Sequence, residues 1–118
     1  MPVAAYFRVA SVCEHDRDPF AGQKEALERY CASHGLTISR QYCDSGVSGL
    51  LPLDQRPAGK RLVADARSGR FDQLLVCNID RLGRSTQLVL TTIKELERYG
   101  VCVRSVVEQA EAVVPIID

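Results

Sequence analysis

The feature that most constrains this chain is an alternation. Short β-branched or aromatic runs are separated by stretches of helical spacing along the 118 residues. VAAYFRV (3–9) reads as a buried strand. Asp18-Pro19 opens a helix, since proline is tolerated in a first turn, and Leu27, Tyr30, Cys31 and His34 share one face before Gly35 stops it. LTISRQYC (36–43) is a second strand, closed by the turn chemistry of DSGVSG. After an irregular connection over 50–56, Arg56-Pro57 opens a second helix with Leu62, Val63 and Ala66 on one side and Gly69 at its end. FDQLLVCNI (71–79) is a third strand. Ser85 or Thr86 caps a third helix carrying Val89, Ile93 and Leu96, and Gly100 ends it. VCVRSVV (101–107) is a fourth strand, and EQAEAVVPIID has no clear period.

Strands alternating with crossover helices predict an α/β fold: a mostly parallel sheet of four or five strands with helices on both faces. One domain over 1–118 is expected, large enough to bury a single core. Ligands of such sheets bind beyond the carboxyl ends of the strands. That rule selects the loops 10–20, 44–56 and 78–85.

Composition narrows the chemistry. Five cysteines, odd in number and without a CxxC pair, argue against a disulfide framework and for a reduced, cytoplasmic setting. His15 and His34 stand far apart with no ligand spacing around them, so no metal is expected. There is no apolar run of membrane-spanning length, and MPVAAYFRV lacks the pattern of a secretory signal. Fifteen basic and fifteen acidic residues give zero net charge. A domain that grips DNA alone should be basic, so a nucleic-acid substrate would need to be held by something else.

The selected loops carry the candidate site. Alternation places Tyr6, Arg8 and Ala10 on one face of the first strand. The second loop adds Asp44, Ser45 and Ser48, and NIDRLGRS adds Asp80, Arg81, Arg84 and Ser85. Arg8, Arg81 and Arg84 are thus expected to converge on one cleft. Arginine is always charged and donates in bidentate fashion, which suits phosphate. Three of them without an acidic metal-binding set suggest phosphoryl transfer in which arginines hold the transition-state charge.

Several motifs then fall in one order. YFRVAS resembles the Tyr-x-Arg-Val-Ser-(Ser/Thr) signature of the serine recombinases, the resolvase, invertase and large integrase family. DSGVSG resembles their Asp-x-Gly-x-Ser-Gly segment, and RPAGKRLVADARSGRFDQLLV their Arg-Pro helix and third strand. NIDRLGRS matches their Asp-Arg-Leu-x-Arg-Ser motif, and GQKEALERYCASHG is similar to their first helix. The likeness runs from about Val3 to Glu108.

The resemblance implies a catalytic domain that cuts and rejoins DNA through a transient 5′-phosphoserine linkage, without metal or other cofactor. It implies charge stabilisation by Arg8, Arg81 and Arg84. It assigns Asp80 to protonating the leaving 3′ oxygen or orienting an arginine, and it places Gln23, Asp44, Ser48 and Arg56 around them. Tyr6 packs either against the nucleophile loop or simply in the core. The partners implied are site-specific DNA and, in a full-length protein, a second copy, in a prokaryotic, phage or mobile-element setting.

Two departures matter. The family's nucleophile falls on Ala10, which has no nucleophilic atom. Ser11 aligns with the next family position and points away from Arg8 in a regular strand; a sharp turn at residue 10 would be needed to bring it round. The chain as written is therefore expected to be inactive. It is also expected to lack the long dimerisation helix and DNA-binding region. Two other readings stay open: a naturally inactive recombinase-like regulatory or dimerisation module, and a small phosphate- or nucleotide-binding α/β domain. The second lacks GxGxxG or GxxxxGK[ST] after any strand.

Overall fold

The structure, a computed structural model, describes residues 2–9 and 20–106. Its strands are β1 (Val3–Val9), β2 (Ile38–Ser45), β3 (Gln73–Val76) and β4 (Cys102–Ser105), and its helices α1 (Ala21–His34), α2 (Pro57–Arg67) and α3 (Thr86–Arg98). The described strands form one parallel sheet in the order β2-β1-β3-β4.

β1 sits inside the sheet and is apolar on both faces, as a strand covered on both sides must be. Val3, Ala5 and Phe7 point to α1 and join Leu27, Tyr30 and Cys31 in one cluster. Ala4 and Tyr6 point the other way and join Leu62, Val63 and Ala66 of α2 with Val89, Ile93 and Leu96 of α3. Each fully buried leucine among these contributes about 1.5–3 kcal/mol of transfer free energy. The faces predicted for α2 and α3 are the buried ones.

The helix ends follow their sequence signals. Ser85 Oγ accepts the Leu88 amide at 3.0 Å and caps α3. Gly35 ends α1 in the left-handed region, φ 67°, where a side chain is disfavoured. Pro57 begins α2, whose free amides are capped from a distance: Asp44 at the end of β2 accepts from Ala58 at 2.7 Å and Gly59 at 3.0 Å.

Several sequence expectations are corrected. The second strand runs over 38–45 rather than 36–43, because its ladder with β1 continues through Arg8–Asp44 and Val9–Ser45. The third strand stops at Val76, and the chain leaves the sheet for a 3₁₀ turn over Ile79–Arg81. Ile79 is buried in the core from that turn, so its apolar character reflects packing rather than strand pairing. The fourth strand is Cys102–Ser105, and residue 107 lies outside the described residues. The irregular connection holds a second 3₁₀ turn, Leu53–Gln55. His34 is exposed and stacks on Tyr30, with ring centroids 4.0 Å apart, instead of facing the core. Cys43 and Cys102, in segments that read as apolar, are exposed. Asp18, Pro19, Cys13 and His15 lie outside the described residues.

Candidate functional site

The helices that follow β1 and β3 lie on opposite faces of the sheet, α1 on one and α3 on the other. The carboxyl ends of these neighbouring strands therefore flank the topological switch point, where open α/β sheets bind ligands. Arg8 stands there at the end of β1, only 4% exposed. Its Nε donates to the Arg81 carbonyl at 3.1 Å and its Nη1 to the Val47 carbonyl at 3.0 Å. Arg81 reciprocates, Nη1 donating to the Arg8 carbonyl at 3.3 Å. Gln23, buried on α1, clasps the same peptide: Oε1 accepts the Arg8 amide at 3.3 Å and Nε2 donates to the Arg8 carbonyl at 3.0 Å.

Arg84 arrives from the loop after β3. Its amide donates to the Gly49 carbonyl at 2.9 Å, and its side chain lies across Gly49. A Cβ at position 49 would come within 2.3 Å of Arg84 Cγ and 2.9 Å of Arg8 Nη2. The glycine is needed for space, because two arginines close over its backbone.

Arg56 is completely buried beneath this layer. Its guanidinium donates to the carbonyls of Leu51 at 2.9 Å, Arg81 at 2.9 Å and Leu82 at 2.7 Å, and to Tyr6 Oη at 3.1 Å. The Tyr6 hydroxyl in turn donates to Asp44 Oδ2 at 2.9 Å. Burial pushes the Tyr6 hydroxyl well above the ordinary tyrosine range, an effect that the nearby Arg56 partly offsets. The Arg81 carbonyl thus accepts from two guanidiniums at once. Carbonyl dipoles, with a buried carboxylate reached through Tyr6, hold a concentration of positive charge in place, which is a setting for an oxyanion.

A family model described as "Resolvase, N terminal domain" matches residues 3–115. The chain belongs to the resolvase family. Among solved structures, the N-terminal catalytic domain of TP901-1 integrase is 32% identical, with a TM-score of 0.80 over 92% of this chain and 79% of that one. The C-terminal catalytic domain of ISC1926 TnpA, an IS607-like serine recombinase, is 23% identical with a TM-score of 0.77, covering 98% of this chain and 79% of that one. A resolvase family site-specific recombinase from Streptococcus pneumoniae is 23% identical with a TM-score of 0.76, covering 98% of this chain and 80% of that one. These last two bear on the fold alone: that of a serine recombinase catalytic domain. No curated protein matches the chain.

Within this resolvase domain the residues singled out from sequence are distributed unevenly. Arg8, Arg81, Arg84, Tyr6, Gln23, Asp44 and Arg56 form one connected assembly. Ser48 is exposed and closes a local turn, its Oγ accepting the Leu50 amide at 3.0 Å. Ala10, Ser11 and the side chain of Asp80 lie outside what the structure describes. Sequence reasoning passed over Gly49 and the carbonyls of Val47, Leu51 and Leu82. Gly49 belongs to a segment that reads as turn chemistry, and the carbonyls carry no sequence signal at all. No group of three His, Cys, Asp or Glu among the described residues is placed to hold a metal ion. No described helix is long and apolar enough to cross a membrane.

Proposed function

We propose that this resolvase domain takes a DNA phosphodiester into the cleft beyond β1 and β3, and that with Ala10 in the nucleophile position it forms no covalent bond to it. The observation that carries this reading is that Arg8 and Arg81 exchange hydrogen bonds at the switch point while Arg84 and Arg8 Nη2 both lie over Gly49 beside them. With serine at position 10, its oxygen would attack phosphorus and form the 5′-phosphoserine bond as the bond to the 3′ oxygen breaks; the serine hydroxyl gives up its proton to solvent and the leaving oxygen takes one up. The arginines would hold the negative charge that builds on the non-bridging oxygens. Asp80 is assigned either the proton for the leaving oxygen or the orienting of an arginine. Tyr6, Gln23, Asp44 and Arg56 act as positioning residues by fixing the arginines and the carbonyls around them.

The test uses nicked duplexes tiled across the DNA that flanks the encoding gene. The expected outcome is no protein–DNA adduct with the chain as written and a phosphoserine adduct after Ala10→Ser, detected by mass spectrometry of the linked peptide. In that background, Arg8→Ala is expected to slow adduct formation by about 10²–10³-fold. An adduct at Ser11 of the unaltered chain would overturn the assignment. Ala10 itself favours a second reading, a silent relative that acts through a protein partner; it gains support if Ala10→Ser restores nothing on any duplex. Saturable binding of free nucleotides, with none of DNA, would favour the small-ligand alternative.

A further inference from the structure

The loop between β2 and the Leu53–Gln55 turn is held from below along most of its length. The amides of Gly46 and Val47 donate to the Val9 carbonyl at 2.9 and 3.3 Å. The Val47 carbonyl accepts Arg8, the Gly49 carbonyl accepts the Arg84 amide, and the Leu51 carbonyl accepts Arg56. Ser48 Oγ and the Ser48 carbonyl take the amides of Leu50 and Leu51. A loop so restrained fixes the backbone from which its outward side chain projects. That side chain is Leu50, 68% exposed and the one large hydrophobic residue left exposed among those described. Beside it lies a groove of about 340 Å³ against the start of α3, lined by Leu50, Ser85, Gln87, Leu88 and Thr91.

From this we infer that Leu50 and its groove are a contact surface for the deoxyribose edge of DNA next to the phosphate held by the arginines. The inference rests on the phosphodiester reading above. Leu50 follows Gly49, over which Arg84 lies and beside which Arg8 Nη2 is placed, and consecutive Cα atoms are 3.8 Å apart. The occupant must therefore bring an apolar surface within one residue of an anion. A nucleic-acid backbone does this by its covalent structure, since each phosphate is bonded to a sugar. A protein occupant would need an acidic side chain set beside an apolar one. Leucine is also among the apolar side chains that proteins press against DNA in the minor groove. The contact is not electrostatic, which suits a chain whose net charge is zero.

The experiment compares Leu50→Ala, Leu50→Met and Arg84→Ala in the intact protein, each checked for an unchanged melting temperature. Affinity for the nicked duplexes is measured across a salt series. Leu50→Ala is expected to weaken binding by about 5- to 10-fold at every salt concentration, since only apolar burial is lost. Its slope of log affinity against log salt stays that of the parent, and Leu50→Met retains the affinity. Arg84→Ala is expected to reduce that slope by about one. If Leu50→Ala leaves affinity intact while Arg84→Ala changes the slope, the inference about Leu50 falls and the phosphate reading stands. If Leu50→Ala instead shifts the mass in sedimentation equilibrium with no effect on DNA, the surface belongs to a second copy and the inference is overturned. If Arg84→Ala changes neither affinity nor slope, the phosphodiester reading itself fails.

Discussion

Gly49 separates two effects that mutations in a site usually mix. The atoms that a Cβ there would displace belong largely to Arg84, an exposed and flexible side chain. Gly49→Ala is therefore expected to leave the melting temperature within a few degrees of the parent while moving Arg84 off the loop. DNA affinity should drop, and the drop should be much smaller when the same change is made in an Arg84→Ala background. A full, additive loss in that background, from a double-mutant cycle on DNA binding, would show that Gly49 acts through something other than Arg84. Gly59 gives the contrast. A Cβ there would stand 2.1 Å from the Leu53 backbone oxygen, a fixed atom, so space at that glycine belongs to the fold rather than the site.

Between elements, the decisive joint is Arg56 at the entrance to α2. Its guanidinium ties that helix to the carbonyls of two loops and to Tyr6 on β1. Arg56→Met keeps much of the volume and leaves buried carbonyls without donors. The expected loss is roughly 3–5 kcal/mol, read from the urea midpoint. This joint also marks where sequence reading reaches its end. The cluster of Arg8, Arg81 and Arg84 is legible because the alternation of strands and helices follows from periodicity, and these residues stand at the end of one strand and in the loop after another. The complete burial of Arg56 is not, because an arginine before a proline reads as a helix entrance whether it is wet or dry. The third strand is shorter than its apolar run for a related reason. Leu75, Val76 and Ile79 are all buried, yet only the first two pair in the sheet, and apolar character alone does not distinguish a strand from a buried 3₁₀ turn.

At the scale of the molecule, two tyrosines make folding sensitive to alkali. The Tyr42 hydroxyl is pushed up to about 12, by burial first and then by its hydrogen bond to Asp65. Tyr6 is raised as well, with burial again the leading cause. The unfolded chain releases such protons near pH 10, whereas the folded chain keeps them. The stability they confer is complete below about pH 10 and is lost as pH rises toward 12. Unfolding midpoints in urea should fall over that window, and Tyr42→Phe should flatten part of the fall; an unchanged slope in that variant would remove Tyr42 from the account. Tyr6 has a wider consequence, because its ring belongs to the core while its hydroxyl belongs to the arginine network. The inner half of the cleft is thus made of the same atoms as the fold, and heritable change there is penalised twice. Arg84 and Leu50 hang outside that shared body. For a descendant lineage, a change at Arg84 alters the chemistry and one at Leu50 the outer surface, each leaving the fold alone, whereas any change deeper alters site and fold together.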